Sequence, residues 1–351
     1  MTKARSSIVK DGIEGVYHCI SRCVRRAFLC GRDSITNRNF EHRKQWIHQR
    51  LVVLADIFLI DVCGYAIMDN HLHVILRNRP DLAADCSDQD IASRWWRLFP
   101  KRRNRWHQPE QPTEEELAVL LAGQDRAAEL RQRLASISWF MRCLKEPIAR
   151  RANAEDQCTG RFWEGRFKSV ALLDQAAILT CSAYVDLNPI RAGIAPTPEA
   201  SAYTSVQERI RARQAGRKRN TLENALVSKR LTDGDSMGIK LRPHDHWLCP
   251  LRNEGNRRGY LNIELDDYLE LLDWTGRQIV EDKKGAVPPH LAPILTRLAV
   301  DHEQWLRSSR KFGSMFYRVA GTMSRMTQAA LGAGQQWLKG MHAGHIAFLN
   351  G

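Results

Sequence analysis

The 351-residue sequence has no run of about eighteen uncharged apolar residues, which excludes a hydropathy-defined membrane span. Its first residues, MTKARSSIVKDGIEGVYHC, are basic without a continuous apolar stretch, so no export signal is expected. The nine cysteines stand singly at 19, 23, 30, 63, 86, 143, 158, 181 and 249, with no CxxC spacing. That pattern fits reduced thiols in the cytoplasm better than a disulfide scaffold. His18 with Cys19, Cys23 and Cys30 comes nearest to a zinc pattern, but two of those cysteines fall in a strand-like run. There is no helicase-type GxxxxGK[ST] loop, no internal repeat and no low-complexity tract.

What is present is an ordinary globular composition with a strong charge bias. Hydrophobic residues make up 43% and charged residues 26%, while 53 Lys and Arg outweigh 39 Asp and Glu for a net charge of +14. Such an excess favours a polyanionic partner, with nucleic acid first in line and a nucleoid-associated location in the cytoplasm to match. The length suits one main domain plus a second module. The basic run RARQAGRKR near 211–219 is followed by a polar stretch to Arg258. Three regions are therefore expected: a catalytic domain over 1–205 with an insertion near 100–130, a linker over 206–258, and a helical accessory module over 259–351.

Within the first region, Gly15–Arg26 alternates apolar and polar residues after a glycine and reads as a strand, with His18, Ile20 and Arg22 on one face. Arg38–Ile57 has helical spacing. Asp61–Met68 and His71–Arg77 are β-rich runs joined at Asp69-Asn70, a pair suited to a tight turn. Helices are expected over Asp90–Phe99, Ala127–Ala152 and Gln175–Asn188, the last closed by Pro189, and a bent strand or hairpin over Cys158–Leu173. This order specifies an α+β fold: a ferredoxin-like, split β-α-β antiparallel sheet with helices on one face, plus the helical C-terminal module.

The triplet His71-Leu72-His73 is the sharpest chemical feature. Alternate strand residues share a face, so both imidazoles can converge on one ion while Leu72 enters the core. A second triplet, His244-Asp245-His246, lies in a proline-flanked polar segment without an apolar centre and reads as a decoy. On the helix before Pro189, Tyr184 and Asn188 lie one turn apart and can address one point in space. A tyrosine serves as a covalent nucleophile when a neighbouring metal polarises a phosphate.

Taken together, GYAIMDNHLHVIL, GRFWEGRFKS and AYVDLNPIRAG resemble, in order, the consecutive motifs of HUH-type single-tyrosine transposases, especially REP-associated tyrosine transposases. The resemblance covers about residues 14 to 205 and leaves the tail uncovered. It implies that His71 and His73 bind Mg²⁺ or Mn²⁺ and that Tyr184 forms a 5′-phosphotyrosine while releasing a 3′-hydroxyl. It also implies that Asn188 is a third ligand, for which a carboxamide oxygen is a suitable hard donor. The expected substrate is single-stranded or hairpin DNA, including palindromic repeats, and the expected assembly is a homodimer.

The expected DNA contacts are Arg94, Trp95, Arg97, Lys101, Arg102 and Arg103, where charge and stacking surfaces mix, followed by Arg161, Arg166 and Lys168 and then Arg191 at the end of the Tyr184 helix. For Trp95 the competing use is packing inward, and for Arg191 it is capping the helix C-terminus. Three rivals share parts of the pattern. A domesticated DNA-binding protein would keep the charge and do no cutting, whereas an HUH replication initiator or relaxase would share the chemistry. An RNA phosphoesterase with two histidine triplets would need a hydroxyl two residues after each histidine, and neither triplet has one.

Overall fold

The computed structural model describes residues 12–24, 30–33, 37–106, 108–216, 245–281, 295, 300–301 and 303–348. Strand β1 (Gly15–Arg22) leads to helix α1 (His42–Ile57), then to β2 (Ile60–Ile67) and β3 (His71–Asn78). The short α2 (Pro80–Asp85) and α3 (Asp88–Leu98), then α4 (Glu114–Leu121), α5 (Arg126–Leu134) and α6 (Ile137–Glu155), precede β4 (Lys168–Leu172). Next come α7 (Gln175–Asp186), the single turn α8 (Asn188–Arg191) and a helical stretch over 205–216, labelled α9. The tail holds α10 (Leu265–Glu281), α11 (Trp305–Met315), β5 (Val319–Ala320), α12 (Met323–Gly332) and α13 (Met341–Ala347).

The sheet order is β2-β3-β1-β4-β5. The first four strands are all antiparallel to their neighbours, in the arrangement a split β-α-β fold requires. The expected α+β class and ferredoxin-like core are what the chain adopts. Two features differ from expectation. β5 comes from the tail and pairs with β4 in parallel, so the sheet is mixed. The helices also lie on both faces. In the β3 register Tyr65 sits opposite Val74, whereas Ala66 sits opposite His73. His48 of α1 lies against Tyr65, with ring centroids 5.9 Å apart, while Tyr184 of α7 lies against His73 on the other face. α1 and α6 therefore cover one side as a pair, and α7 crosses to the side that carries the histidines.

Local chemistry explains the element ends. α1 starts at His42 rather than Arg38 because Asn39 Oδ1 accepts from the Glu41 amide at 2.9 Å, a turn that competes with helix just upstream. The helix expected over Ala127–Ala152 breaks at 135–136, where the Leu134 carbonyl accepts the Leu59 amide at 3.0 Å. The insertion is ordered: Thr113 and Glu116 form a capping box for α4, and the buried Trp96 donates its indole N–H to the Glu110 carbonyl at 2.7 Å. Pro189 does not stop the chain from being helical. α7 ends at Asp186, and the proline occupies the first turn of α8, where a missing amide hydrogen costs nothing.

Residues from before 205 and after 259 share one hydrophobic cluster that runs from Val16 to Phe348. Asp174 shows how closely the parts interlock. Its Oδ1 caps α7 by accepting from Ala177 N at 2.9 Å, and its Oδ2 accepts from Thr322 N in the tail at 2.6 Å. The basic stretch 217–219 and His244 lie outside the described residues.

Candidate active site

Register places the histidines before any side chain is considered. Ile20 sits opposite His73, Arg22 opposite His71, and Lys168 opposite Ile20 on the other flank of β1. All of these residues point to the face that α7 crosses. His18, two residues before Ile20, joins them. Its Nε2 lies 2.8 Å from His73 Nδ1, a hydrogen bond in which one ring nitrogen donates and the other accepts. His71 turns its Nδ1 to Asn70 Oδ1 at 2.6 Å, which leaves its Nε2 for the site. The His71 and His73 rings are 4.7 Å apart between centroids.

Tyr184 completes the group from α7. Its ring stands edge-on to His73 at 5.7 Å and to His18 at 6.0 Å. The ring is half-buried, and among the described residues its hydroxyl has no hydrogen-bond partner. Phe312 of α11 flanks the ring at 5.9 Å. The hydroxyl lies beside Gly313, where a Cβ would come within 2.7 Å of it. Gly313 is exposed, so the absence of a side chain there keeps the phenol oxygen at an open edge.

Arg191 closes the other flank. Its guanidinium carbon lies 4.1 Å from the centre of the Tyr184 ring, its Nη1 donates to the Arg310 carbonyl at 2.7 Å, and its Nη2 donates to Asn188 Oδ1 at 3.3 Å. It thus links Tyr184, Asn188 and α11 rather than capping a free helix end.

The electrostatics favour neutral imidazoles. Burial, then the neighbouring Arg22 and Arg191, push His71 down to about 4. Burial, then His71, pushes His18 down to about 3, and burial with His18 and His71 nearby holds His73 well below its ordinary value. Neutral imidazole is the form that ligates a cation. His73 Nε2 is buried without a hydrogen-bond partner, the kind of orphaned atom that a bound ion would satisfy. His71 and His73 therefore fit a divalent cation. Asn188 fits less well as it stands, because its carboxamide oxygen faces Arg191 and its Nδ2 is buried unpartnered. Among the described residues, no three His, Cys, Asp or Glu side chains form a metal-holding group.

The other expected DNA contacts divide sharply. Trp95 is buried against Trp139 and Phe99, with ring centroids at 5.4 and 4.9 Å, so it has no free face for a base. Arg94 donates to the carbonyls of Asp56 and Ile57 at 3.0 and 2.8 Å, holding the end of α1, and Arg97 pairs with Asp56. Arg102 is bound by Glu110 at 2.6 Å and Glu116 at 2.9 Å. Trp95 is taken up by packing and Arg94 by the end of α1, whereas Arg97 and Arg102 are exposed and engaged by carboxylates. The tryptophans needed burial, and the arginines found carboxylates and carbonyls once the insertion folded back. Lys101 is exposed, and Arg103 is exposed in a bridge with Pro109.

Arg161, Arg166 and Lys168 are exposed beside the site. Their segment runs along the end of β1: Val24 N donates to the Phe162 carbonyl and Glu164 N to the Arg22 carbonyl, each at 2.9 Å. Phe162 and Trp163 turn inward. Sequence reasoning missed His18 as a site residue. The signal was its place on the Ile20 and Arg22 face of β1, which acquires meaning only when β3 is known to be the neighbouring strand.

No family model matches the chain, and no curated protein matches it. Among solved structures, one match is described as "Structure of the REP associates tyrosine transposase bound to a REP hairpin". The identity is 10%, the TM-score is 0.35, and the match covers 60% of this chain and 86% of that one. A likeness at that level decides nothing about this chain. No helix among the described residues is long and apolar enough to cross a membrane.

Proposed function

We propose that this protein is a transposase that cuts and rejoins single-stranded or hairpin DNA through Tyr184. The observation that carries the reading is the approach of Tyr184, from a helix late in the first region, to His73 and His18 on the sheet face it crosses. In this reaction the Tyr184 oxygen attacks a phosphorus atom, a phosphotyrosine bond forms to the 5′ side, and the 3′ oxygen leaves as a hydroxyl. Rejoining reverses the exchange, so no ATP is consumed.

His71 and His73 would hold Mg²⁺ or Mn²⁺, which when bound polarises the phosphate. For His73 to offer Nε2, its Nδ1–H must donate to His18 Nε2, a role that the 2.8 Å contact permits. Arg22, Lys168 and Arg191 surround the pair with positive charge suited to a phosphate backbone. Arg161 and Arg166 extend that charge along the end of β1. A pair of such domains would act as a homodimer on palindromic ends.

The test is incubation of the full chain with labelled hairpin DNA and Mn²⁺. A covalent adduct should form that Tyr184→Phe abolishes, and an undiminished adduct in that variant removes Tyr184 as nucleophile. The alternative of a non-cutting DNA-binding protein predicts binding with no adduct in the wild-type chain.

A further inference from the structure

The tail carries a second feature that the chemistry at Tyr184 does not use. Just after α11, Tyr317 is 54% exposed, and across a groove Trp337 is 70% exposed. Large aromatic surface in water is costly, and these two residues line one cavity of about 560 Å³ together with Arg318, Gln335, Gln336 and Lys339. The Arg318 guanidinium lies 5.8 Å and the Lys339 ammonium 5.7 Å from the centre of the Tyr317 ring. No carboxylate lines the groove. It thus offers two π-faces, two cations and two carboxamides. This is the chemistry that binds an unpaired nucleotide: a base stacks on the rings, phosphates meet the cations, and amides reach base edges.

Topology gives the groove a place relative to Tyr184. Tyr317 leads into β5, which pairs in parallel with β4 at Ala171 and Leu172. Extended back two residues, that register sets Tyr317 level with Ser169 at the β5 edge of the sheet, on the face opposite Lys168 and the histidines. From β5 to β3, where His73 sits, the sheet spans three strand spacings, roughly 15 Å.

We infer that the groove between Tyr317 and Trp337 is a binding subsite for unpaired nucleotides of single-stranded DNA, on the tail and outside the site at Tyr184. The inference extends the proposed DNA-cutting function and is tested separately from it. Binding of the full chain to a fluorescein-labelled single-stranded oligodeoxynucleotide of about twelve residues is read by anisotropy. Tyr317→Ala and Trp337→Ala should each weaken binding on the order of tenfold, while Trp337→Phe, which keeps a stacking face, should recover most of it.

Lys339→Ala should lower the slope of log affinity against log salt by about one. An unlabelled duplex should compete poorly. The groove residues are largely exposed, and equal melting temperatures exclude a folding defect. Unchanged affinity in both alanine variants overturns the inference, as does a duplex that competes as well as the single strand, since that leaves only phosphate attraction. A groove that meets only an acidic protein segment would show the same unchanged affinity. Tyr184-dependent adduct formation that persists in Tyr317→Ala with unaltered binding would sink the subsite alone. Tyr317-dependent binding without any adduct would sink the cutting reaction alone.

Discussion

Residue by residue, the candidate site depends on small allowances of space and orientation. Gly313 is the clearest case, because glycine inside a helix costs about 1 kcal/mol relative to alanine and here it clears the Tyr184 hydroxyl. Gly313→Ala should cut adduct formation at least tenfold while leaving DNA affinity intact, as read by gel-resolved adducts alongside anisotropy. Equal cleavage would mean that the phenol works from another position. Arg191 touches the Tyr184 ring, Asn188 and the Arg310 carbonyl at once. A lysine lacks the planar fork needed for all three, so Arg191→Lys should behave like Arg191→Ala in cleavage. Recovery of full activity by lysine would reduce the role to a simple point charge.

At the scale of elements, α1 and α7 are each tied down by a buried charge. Arg43 of α1 is fully buried, donates to Glu155 at 2.7 Å and Asp156 at 2.6 Å, and stacks on Phe40. Arg43→Ala should cost about 3 kcal/mol by denaturant unfolding, near the low end for a broken buried pair because both carboxylates can rehydrate. At the end of α7, Asp186 accepts from the Ser205 hydroxyl at 2.6 Å and from the Tyr268 hydroxyl at 2.7 Å, binding α7 to α9 and α10. Burial raises its pKa, so the carboxylate is held by those donors rather than by solvent. Asp186→Ala leaves the buried Tyr268 hydroxyl and the Val206 amide without their acceptor and should cost at least about 2 kcal/mol. A loss under about 0.5 kcal/mol would show that water replaces the carboxylate.

Over the whole molecule, the tail is part of the core and not an appendage. It supplies β5 to the sheet, α11 to the face of α7, and Thr322 N to the cap at Asp174. A chain ending at 258 should therefore lose the cooperative thermal transition of the full protein, measured by circular dichroism. A truncated form that melts sharply would establish an independent first region. The net charge of +14 should make DNA binding fall on the order of tenfold or more between about 50 and 200 mM salt.

The HxH strand, the hairpin before it, α7 and the split β-α-β order were legible in the sequence because each rests on local periodicity or turn chemistry. Lys168 and Arg191 were legible as charges beside the motifs. His18 was not, because its value depends on β1 lying next to β3, a pairing between residues far apart in the chain. The partners of Trp95, Arg94, Arg97 and Arg102 were not legible for the same reason: charge and aromaticity are sequence properties, but which partner satisfies them is settled by what folds against them.

The sequence by itself determined the chemistry available, namely two imidazoles on one strand face, a phenol one turn before Asn188-Pro189, and an excess of positive charge. Only the tertiary structure decided that α7 crosses the histidine face, that a third imidazole backs His73, and that a glycine from the tail stands at the phenol oxygen. Those outcomes are set by long-range packing, which local periodicity does not encode.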